Sequence, residues 1–205
     1  MVAWDLSSKR KRVVYYTERG FNDASNLIRF AKTVGLCKEV SELSAMASSV
    51  RNPDGVFFIP NFVSMAGFVG LTKHTTRREH LVRAVLEAIV FNVANFFFLT
   101  KEETNYHFDK IRIDGGISEN DFICQSIADL TNIERIERSA DGAELTSYGV
   151  AYLSSYLCNG GINELENAPY RVGKVFTPNE SNRKELFMRY KKFEYICKKI
   201  DKAKI

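Results

Sequence analysis

The sequence predicts an α/β domain built on a mixed sheet covered by helices. Three observations carry that expectation. Strand-like and helix-like segments alternate between Val56 and Leu157, the order that builds such sheets. Residues 56–60, Val-Phe-Phe-Ile-Pro, form a short continuous apolar run of the kind buried on both faces. The segment after Thr76, to about Leu99, is apolar nearly all round, so it belongs inside.

The elements follow in order. Val2-Ala3-Trp4 and residues 13–17 read as two strands, with the polar and basic run 7–12 as the hairpin turn between them. That run matches a nuclear localisation signal in composition, but it is read as a solvated turn. Asn22-Asp23 is placed to cap a helix over 24–34, closed by Gly35. A second helix covers about 38–49, and Asn52-Pro53-Asp54-Gly55 is a turn. Short strands are expected at 56–60 and 67–72. Thr76-Arg77-Arg78-Glu79 has the form of a capping box opening the long apolar helix. The strand Lys110–Ile113 is expected at the centre of the sheet, with that helix packed against it. Ser118-Glu119-Asn120-Asp121 has the form of a second capping box, opening a helix to about Leu130. A strand at 133–137 follows, and then a helix from Asp141 or Gly142 to about Leu157, ended by Asn159-Gly160-Gly161. Residues 179–205 read as a basic helix.

Composition narrows the class. The chain has 205 residues, 45% hydrophobic and 26% charged, a balance that supports a packed core rather than disorder. A net charge of +4, without a Lys/Arg stripe interleaved with aromatics, argues against a nucleic-acid partner. Cys37, Cys124, Cys158 and Cys197 form no Cys-x-x-Cys pair and read as reduced thiols, consistent with a cytoplasmic location. No apolar run is expected to span a membrane, since the longest, 84–99, is interrupted by Glu87, Asn92 and Asn95. His74, His80 and His107 lack metal-ligand spacing, so no metal site is assigned and His80 is read as structural. No Ser or Cys stands in a nucleophile setting, and no catalytic residue is assigned.

One segment can carry chemistry. A strand ending in Asp114-Gly115-Gly116, followed by a helix start, lets the backbone turn sharply and lets a ligand approach with no Cβ in the way. Free N–H groups and the positive end of the helix dipole then suit a phosphate. A tight turn with no ligand has the same sequence form. The Gly-x-x-x-x-Gly-Lys and Gly-x-Gly-x-x-Gly phosphate motifs are absent.

The string Asp114-Gly115-Gly116-Ile117-Ser118-Glu119-Asn120-Asp121-Phe122 resembles the adenosine-phosphate turn of the FGGY carbohydrate kinases, the family of glycerol kinase. Ala66-Gly67-Phe68-Val69-Gly70-Leu71, then eight residues, then His80-Leu81-Val82-Arg83-Ala84-Val85-Leu86-Glu87, is similar to that family's C-terminal signature. Residues 56–60 resemble the strand before the family's Gly-Leu-Gly-Ala-Pro-Tyr-Trp loop. Residues 144–153 resemble its helix with a Gly-Ala-Ala-Tyr-Leu string. The order agrees from Val2 to about Pro178.

The resemblance implies a ribonuclease-H-like, actin-like ATPase domain over 1–178, with 179–205 as a basic C-terminal helix. It implies ATP and Mg²⁺ as cofactors. Gly116 would meet the nucleotide through its backbone N–H, Asn120 would lie by the adenosine, and Asp114 and Gly115 would shape the turn. The family's glycine and glutamine on the first helix align with Ser25 and Arg29, and Arg29 either reaches a phosphate or is a solvated helix residue. The match begins where the family's second domain begins. The expectation is therefore a chain without the first domain, its general-base aspartate and most polyol contacts. The family loop after Val63 has no counterpart either. The implied function is ATP-dependent phosphorylation of glycerol or a related polyol when paired with an N-terminal domain. The alternative is a non-catalytic nucleotide-binding or interaction module derived from such a kinase.

Overall fold

The computed structural model describes residues 2–5, 13–15, 24–61, 65–140, 142, 145–159 and 170–202. The turn at 7–12, the cap at Asn22-Asp23, the junction at 62–64, Asp141 and Gly160-Gly161 lie outside the described residues.

Strands β1 (Val2–Asp5) and β2 (Val13–Tyr15) pair antiparallel. Helix α1 (Ala24–Thr33) buries Leu27 and Ala31. Helix α2 is Glu42–Ser48, shorter than expected because the first residues of the 38–49 stretch form turns. Strands β3 (Phe57–Asn61) and β4 (Met65–Val69) form an antiparallel pair, with Asn61 opposite Met65. Gly70 follows with φ +86°, and a Cβ there would stand 2.4 Å from the Gly55 carbonyl oxygen. Only glycine lets the chain leave β4 past the 53–55 turn.

Helix α3 (Arg78–Thr104) is the centre of the core. Val85, Leu86 and Ile89 are at most 1% exposed. Its apolar residues pack on α1, α2, β3 and the helix that follows the glycine turn. By length and composition α3 could cross a membrane, contrary to the expectation that no run reaches that length. Most of that apolar window is instead buried inside the protein. Its start also differs from the expected box. Arg77 is the N-cap residue, and its N–H donates to His80 Nδ1 at 3.1 Å. Thr76 faces the other way and accepts the Thr72 N–H.

The main sheet holds β5 (Lys110–Ile113), β6 (Arg135–Ser139) and β7 (Val172–Phe176). β5 and β6 are parallel, β6 and β7 antiparallel, so the sheet is mixed as expected. The expected centrality of β5 is corrected: among the described residues it is an edge, and β6 is the middle strand. β7 pairs on the far side of β6, a long-range choice that local sequence does not encode. The expected packing of α3 directly on β5 is corrected as well, because its main partners are helices and β3.

Helix α4 (Asp121–Thr131) fills the space between α3 and the sheet. Helix α5 (Leu145–Asn159) follows β6. Helix α6 (Glu180–Lys202) buries Leu186, Tyr190 and Phe193, one stripe at helical spacing. Phe91 lies 5.9 Å from Tyr190 and 5.2 Å from Phe193, so aromatic contacts seat α6 on α3. Glu87, 2% exposed at its side chain, sits between Arg83 Nε at 2.9 Å and Arg189 Nε at 3.1 Å. The basic tail is thus an integral core element with a solvated face.

Candidate functional site

The end of β5 and the start of α4 are joined by a tight turn. Gly115 takes φ +76°, which an L side chain resists, so glycine is needed there. A single 3₁₀ turn, Gly116–Glu119, comes next. The expected capping box at 118–121 does not form. Ser118 is buried, and its hydroxyl donates to the Gly115 carbonyl at 2.7 Å, closing the turn on itself. Asn120 is the true N-cap of α4, with Oδ1 accepting the Ile123 N–H at 3.1 Å. It therefore sits at the helix start, and its amide N–H₂ has no partner among the described residues.

The donors available to an anion also differ from expectation. Ser44 Oγ of α2 accepts the Phe122 N–H at 3.1 Å, Asn120 Oδ1 takes Ile123, and the Asn120 carbonyl takes Cys124. The first turn of α4 is thus occupied. The N–H groups of Gly116 and Ile117 have no partner among the described residues. They are the groups a phosphate would meet.

Distant residues hold the turn in place. The parallel register sets Ile113 opposite Arg138, which puts the Arg138 guanidinium beside the turn. Arg138 Nη1 donates to the Ser118 carbonyl and to Asp121 Oδ1, each at 2.8 Å. Lys174 of β7 pairs with the other Asp121 oxygen. Its hydrogen bond, and then that of Arg138, holds the Asp121 carboxyl below the usual value. The Cys124 thiol donates to the Ser118 carbonyl at 3.2 Å, and burial pushes its pKa up to about 11, so it remains a neutral packing group. Ser44, Arg138 and Lys174 gave no local signal in the sequence. Their roles follow from strand register and helix packing.

A cavity of about 670 Å³ opens beside the turn. Asp114, Gly115, Gly116 and Asn120 all line it, so the structure brings four of the five predicted site residues together. Arg29 is not among its lining residues. It is exposed on α1, with Nη2 on Asn26 Oδ1 at 2.6 Å. Ser25 and Ile28, on the same helix, do reach the cavity. A Cβ built on Gly116 meets no atom within 4 Å, so the space in front of it is open. Ile28, Val40, Ile117 and Ile123 give the cavity apolar walls, and Ser41 and Ser44 add hydroxyls. Apolar walls with a few polar groups and free backbone donors at one end suit a flat base joined to a phosphate.

The signature residues of α3 lie elsewhere and act structurally. His80 caps the helix, as the sequence reading of a structural histidine had it, and Glu87 joins two arginines. Arg83 Nη1 donates to the carbonyls of Ala47 and Val50, tying the end of α2 to α3.

Comparison with known proteins gives the family and the fold. The profile of the FGGY family of carbohydrate kinases, C-terminal domain, matches residues 5–158. Glycerol kinase 5 of Gallus gallus is 32% identical over 192 residues, covering 89% of this chain and 36% of that protein. An uncharacterized sugar kinase of Archaeoglobus fulgidus is 32% identical over 209 residues, covering 98% and 40%. The crystal structure of Plasmodium falciparum glycerol kinase with ADP superposes with a TM-score of 0.69 at 25% identity, covering 89% of this chain and 37% of that one. A xylulose kinase from Rhodospirillum rubrum shares the fold, with a TM-score of 0.68 at 18% identity. The chain thus spans well under half the length of these relatives, and its fold is the ribonuclease-H-like, actin-like one expected from the sequence. With the family profile matched from residue 5 to residue 158 and relatives 32% identical over most of its length, this chain belongs to the FGGY family of carbohydrate kinases, of which it carries the C-terminal domain.

Proposed function

We propose that this chain is the nucleotide-binding half of a glycerol-kinase-like enzyme, which transfers a phosphoryl group from ATP to glycerol or a related polyol. The observation that supports this best is the pair of N–H groups at Gly116 and Ile117, without a partner among the described residues, at the edge of an apolar-walled cavity. The phosphates of an adenine nucleotide would meet those donors, and the base would lie between Ile28, Val40 and Ile123, with the Asn120 amide beside the adenosine. Residues 1–178 would act as the domain, with the 179–205 helix laid on it, in a cytoplasmic enzyme.

Among the described residues no group of three or more His, Cys, Asp and Glu side chains could hold a metal. Mg²⁺ ordinarily arrives with the phosphates and takes one or two carboxylates. Asp114 and Glu119 border the cavity and are the groups that would serve. The magnesium ion would offset phosphate charge during transfer. Positioning and charge stabilisation are most of what a protein contributes to this reaction. A cleft closed by a second domain would supply the base for the hydroxyl and the remaining phosphate contacts. This chain alone is therefore expected to bind the nucleotide without turning over glycerol.

Amide-resonance titration with Mg-ATP tests the reading. Weak binding, on the order of millimolar, is expected because one side of the cleft supplies all the contacts. The shifts should cluster at 114–123. Gly116→Val is the matched control. Its side chain enters open space, so the fold should survive, while the approach to the two N–H groups is blocked. An unperturbed 114–123 segment at saturating millimolar ATP, or equal binding by the Gly116→Val variant, would remove the nucleotide reading.

A further inference from the structure

A second cavity, of about 760 Å³, opens on the other side of the α4 N-terminus, between α4, β7 and the start of α6. Ser44 borders both cavities, and its hydrogen bond from Phe122 stands between them. The second cavity is lined by four cations, Arg51, Arg83, Lys174 and Arg189, against three carboxylates, Asp121, Asp129 and Glu185.

Acceptors and donors there are unequally engaged. Asp121 holds Arg138 and Lys174. Asp129 accepts from Gln125 and from the Asn179 N–H, each at 2.8 Å, and from Asn182 at 3.3 Å. Glu185 accepts from Arg189 at 3.1 Å and from Asn52 at 3.3 Å. Arg189 is fully engaged by Glu87 and Glu185. Three groups keep donor capacity that no partner among the described residues uses in full. Arg83 uses Nε on Glu87 and Nη1 on two carbonyls, which leaves Nη2 without a partner among the described residues. Arg51 has an 88% exposed side chain, and its one ion-pair contact among the described residues is 3.8 Å from Glu185. Ser126 is only 7% exposed, yet its hydroxyl has no partner among the described residues. No fully enclosed side-chain polar atom among the described residues lacks a partner, so that hydroxyl opens on the cavity.

We propose that this second cavity is a binding site for a phosphoryl group, carried by a small phosphomonoester or present as inorganic phosphate. A carboxylate-rich pocket would need donors from its ligand. Here the carboxylates are already satisfied, while two guanidinium groups and a hydroxyl, on different elements, keep donors that no partner among the described residues takes up. Cationic N–H and O–H donors lining a space whose acceptors are already satisfied suit an oxyanion. The volume exceeds what inorganic phosphate alone fills, which leaves room for the body of a phosphomonoester. The site is separate from the glycine turn and does not depend on nucleotide binding there.

The test is an amide and side-chain resonance titration of the chain at constant ionic strength. Inorganic phosphate, glycerol 3-phosphate and chloride are compared. Saturable shifts at Arg51, Gln125 and Ser126 with either phosphate compound are expected. Tighter binding of glycerol 3-phosphate identifies a phosphomonoester site, and equal binding identifies a free-phosphate site. Arg51→Gln removes a charge-assisted donor from an exposed position and should weaken binding about tenfold. Ser126→Ala removes a neutral donor and should weaken it about fivefold. Both variants should leave any ATP shifts at 114–119 unchanged, which separates this site from the nucleotide reading. The proposal is overturned by no saturable shift, by the same shift with chloride, or by unchanged phosphate binding in both variants.

Discussion

Helices α3 and α5 are both rich in apolar residues, and they have opposite surroundings. In α3, Val85, Leu86 and Ile89 are at most 1% exposed. In α5, Tyr148, Val150 and Leu153 are 46%, 61% and 49% exposed, and every described side chain from Thr146 to Ser154 faces solvent. The contrast lies in the neighbours rather than in the helices. α3 meets α1, α2, α4, β3 and α6, which cover it on several sides. No other described element packs extensively on α5. Apolar composition marks a surface that gains from being covered, and topology decides whether a cover exists.

The sharpest way to probe the comparison is at Glu87, where α3 holds a charge inside the core. Two arginines, Arg83 and Arg189, converge on that carboxylate from α3 itself and from α6. Their side chains are 14% and 13% exposed. Glu87→Ala strips both of their shared partner without hydrating them. The expected loss is roughly 3–5 kcal/mol of folding stability, the range for breaking a buried ion pair by removing one partner. Urea unfolding followed by circular dichroism measures it. A loss below about 1 kcal/mol would mean that water already reaches the pair, and that α3 is less enclosed than its exposures say.

The same contrast explains which parts of the fold the sequence disclosed. α3 was legible because apolar residues occupy all its faces, and β3 because five such residues run together. Gly115 and Gly116 were legible because few residue types fit a sharp turn beside a close approach, whereas Gly70 was not: the expected strand ran over 67–72, and the chain instead leaves the strand at Val69 and turns at Gly70. β7 was not. Of Val172–Phe176 only Phe176 is buried, so no alternation marked the strand. Strand order was not legible either, because the place of β5 at an edge depends on β7 pairing some 35 residues beyond β6 in sequence. In the candidate site, Asp114, Gly115, Gly116 and Asn120 were read from one contiguous string. Ser44 and Arg138 reach the same turn from α2 and β6, and only the assembled structure brings them there. Arg29 is not among the cavity's lining residues, because one residue along a helix turns a side chain by about 100°, while Ser25 and Ile28 do line it.

Helix α4 lies between the two extremes, packed on α3 along one face and open to cavities at its start. Asn120 caps it at the open end. Asn120→Ala removes the acceptor for the Ile123 N–H and should cost about 1 kcal/mol, as N-cap losses generally do. The same change removes the amide facing the cavity, so ATP binding should weaken as well. Asn120→Asp keeps the cap acceptor and discards the amide donor. Under the proposed geometry it restores stability and does not restore ATP binding. Thermal unfolding and nucleotide titration of both variants give the two readings. Recovery of both properties in Asn120→Asp would show that Asn120 acts on the nucleotide only through the helix start.

The smallest effect is expected at the other pole of the comparison. Val150 is 61% exposed on α5, with no enclosing contact to lose. A serine there removes a β-branched apolar side chain from water and substitutes a polar one of similar helix propensity. Surface changes of this kind generally stay within about 0.5 kcal/mol. The matched change on α3, Val85→Ser, combines lost burial, a cavity and a buried hydroxyl, and belongs in the range of a few kcal/mol. The pair should therefore differ by several-fold in their shift of the unfolding midpoint at equal protein concentration. If Val150→Ser costs as much as Val85→Ser, α5 is covered in solution. Repeating the unfolding over a range of protein concentrations would then identify the cover. A cost that rises with concentration means a second copy of the chain, and a constant cost means that α5 folds back onto its own domain.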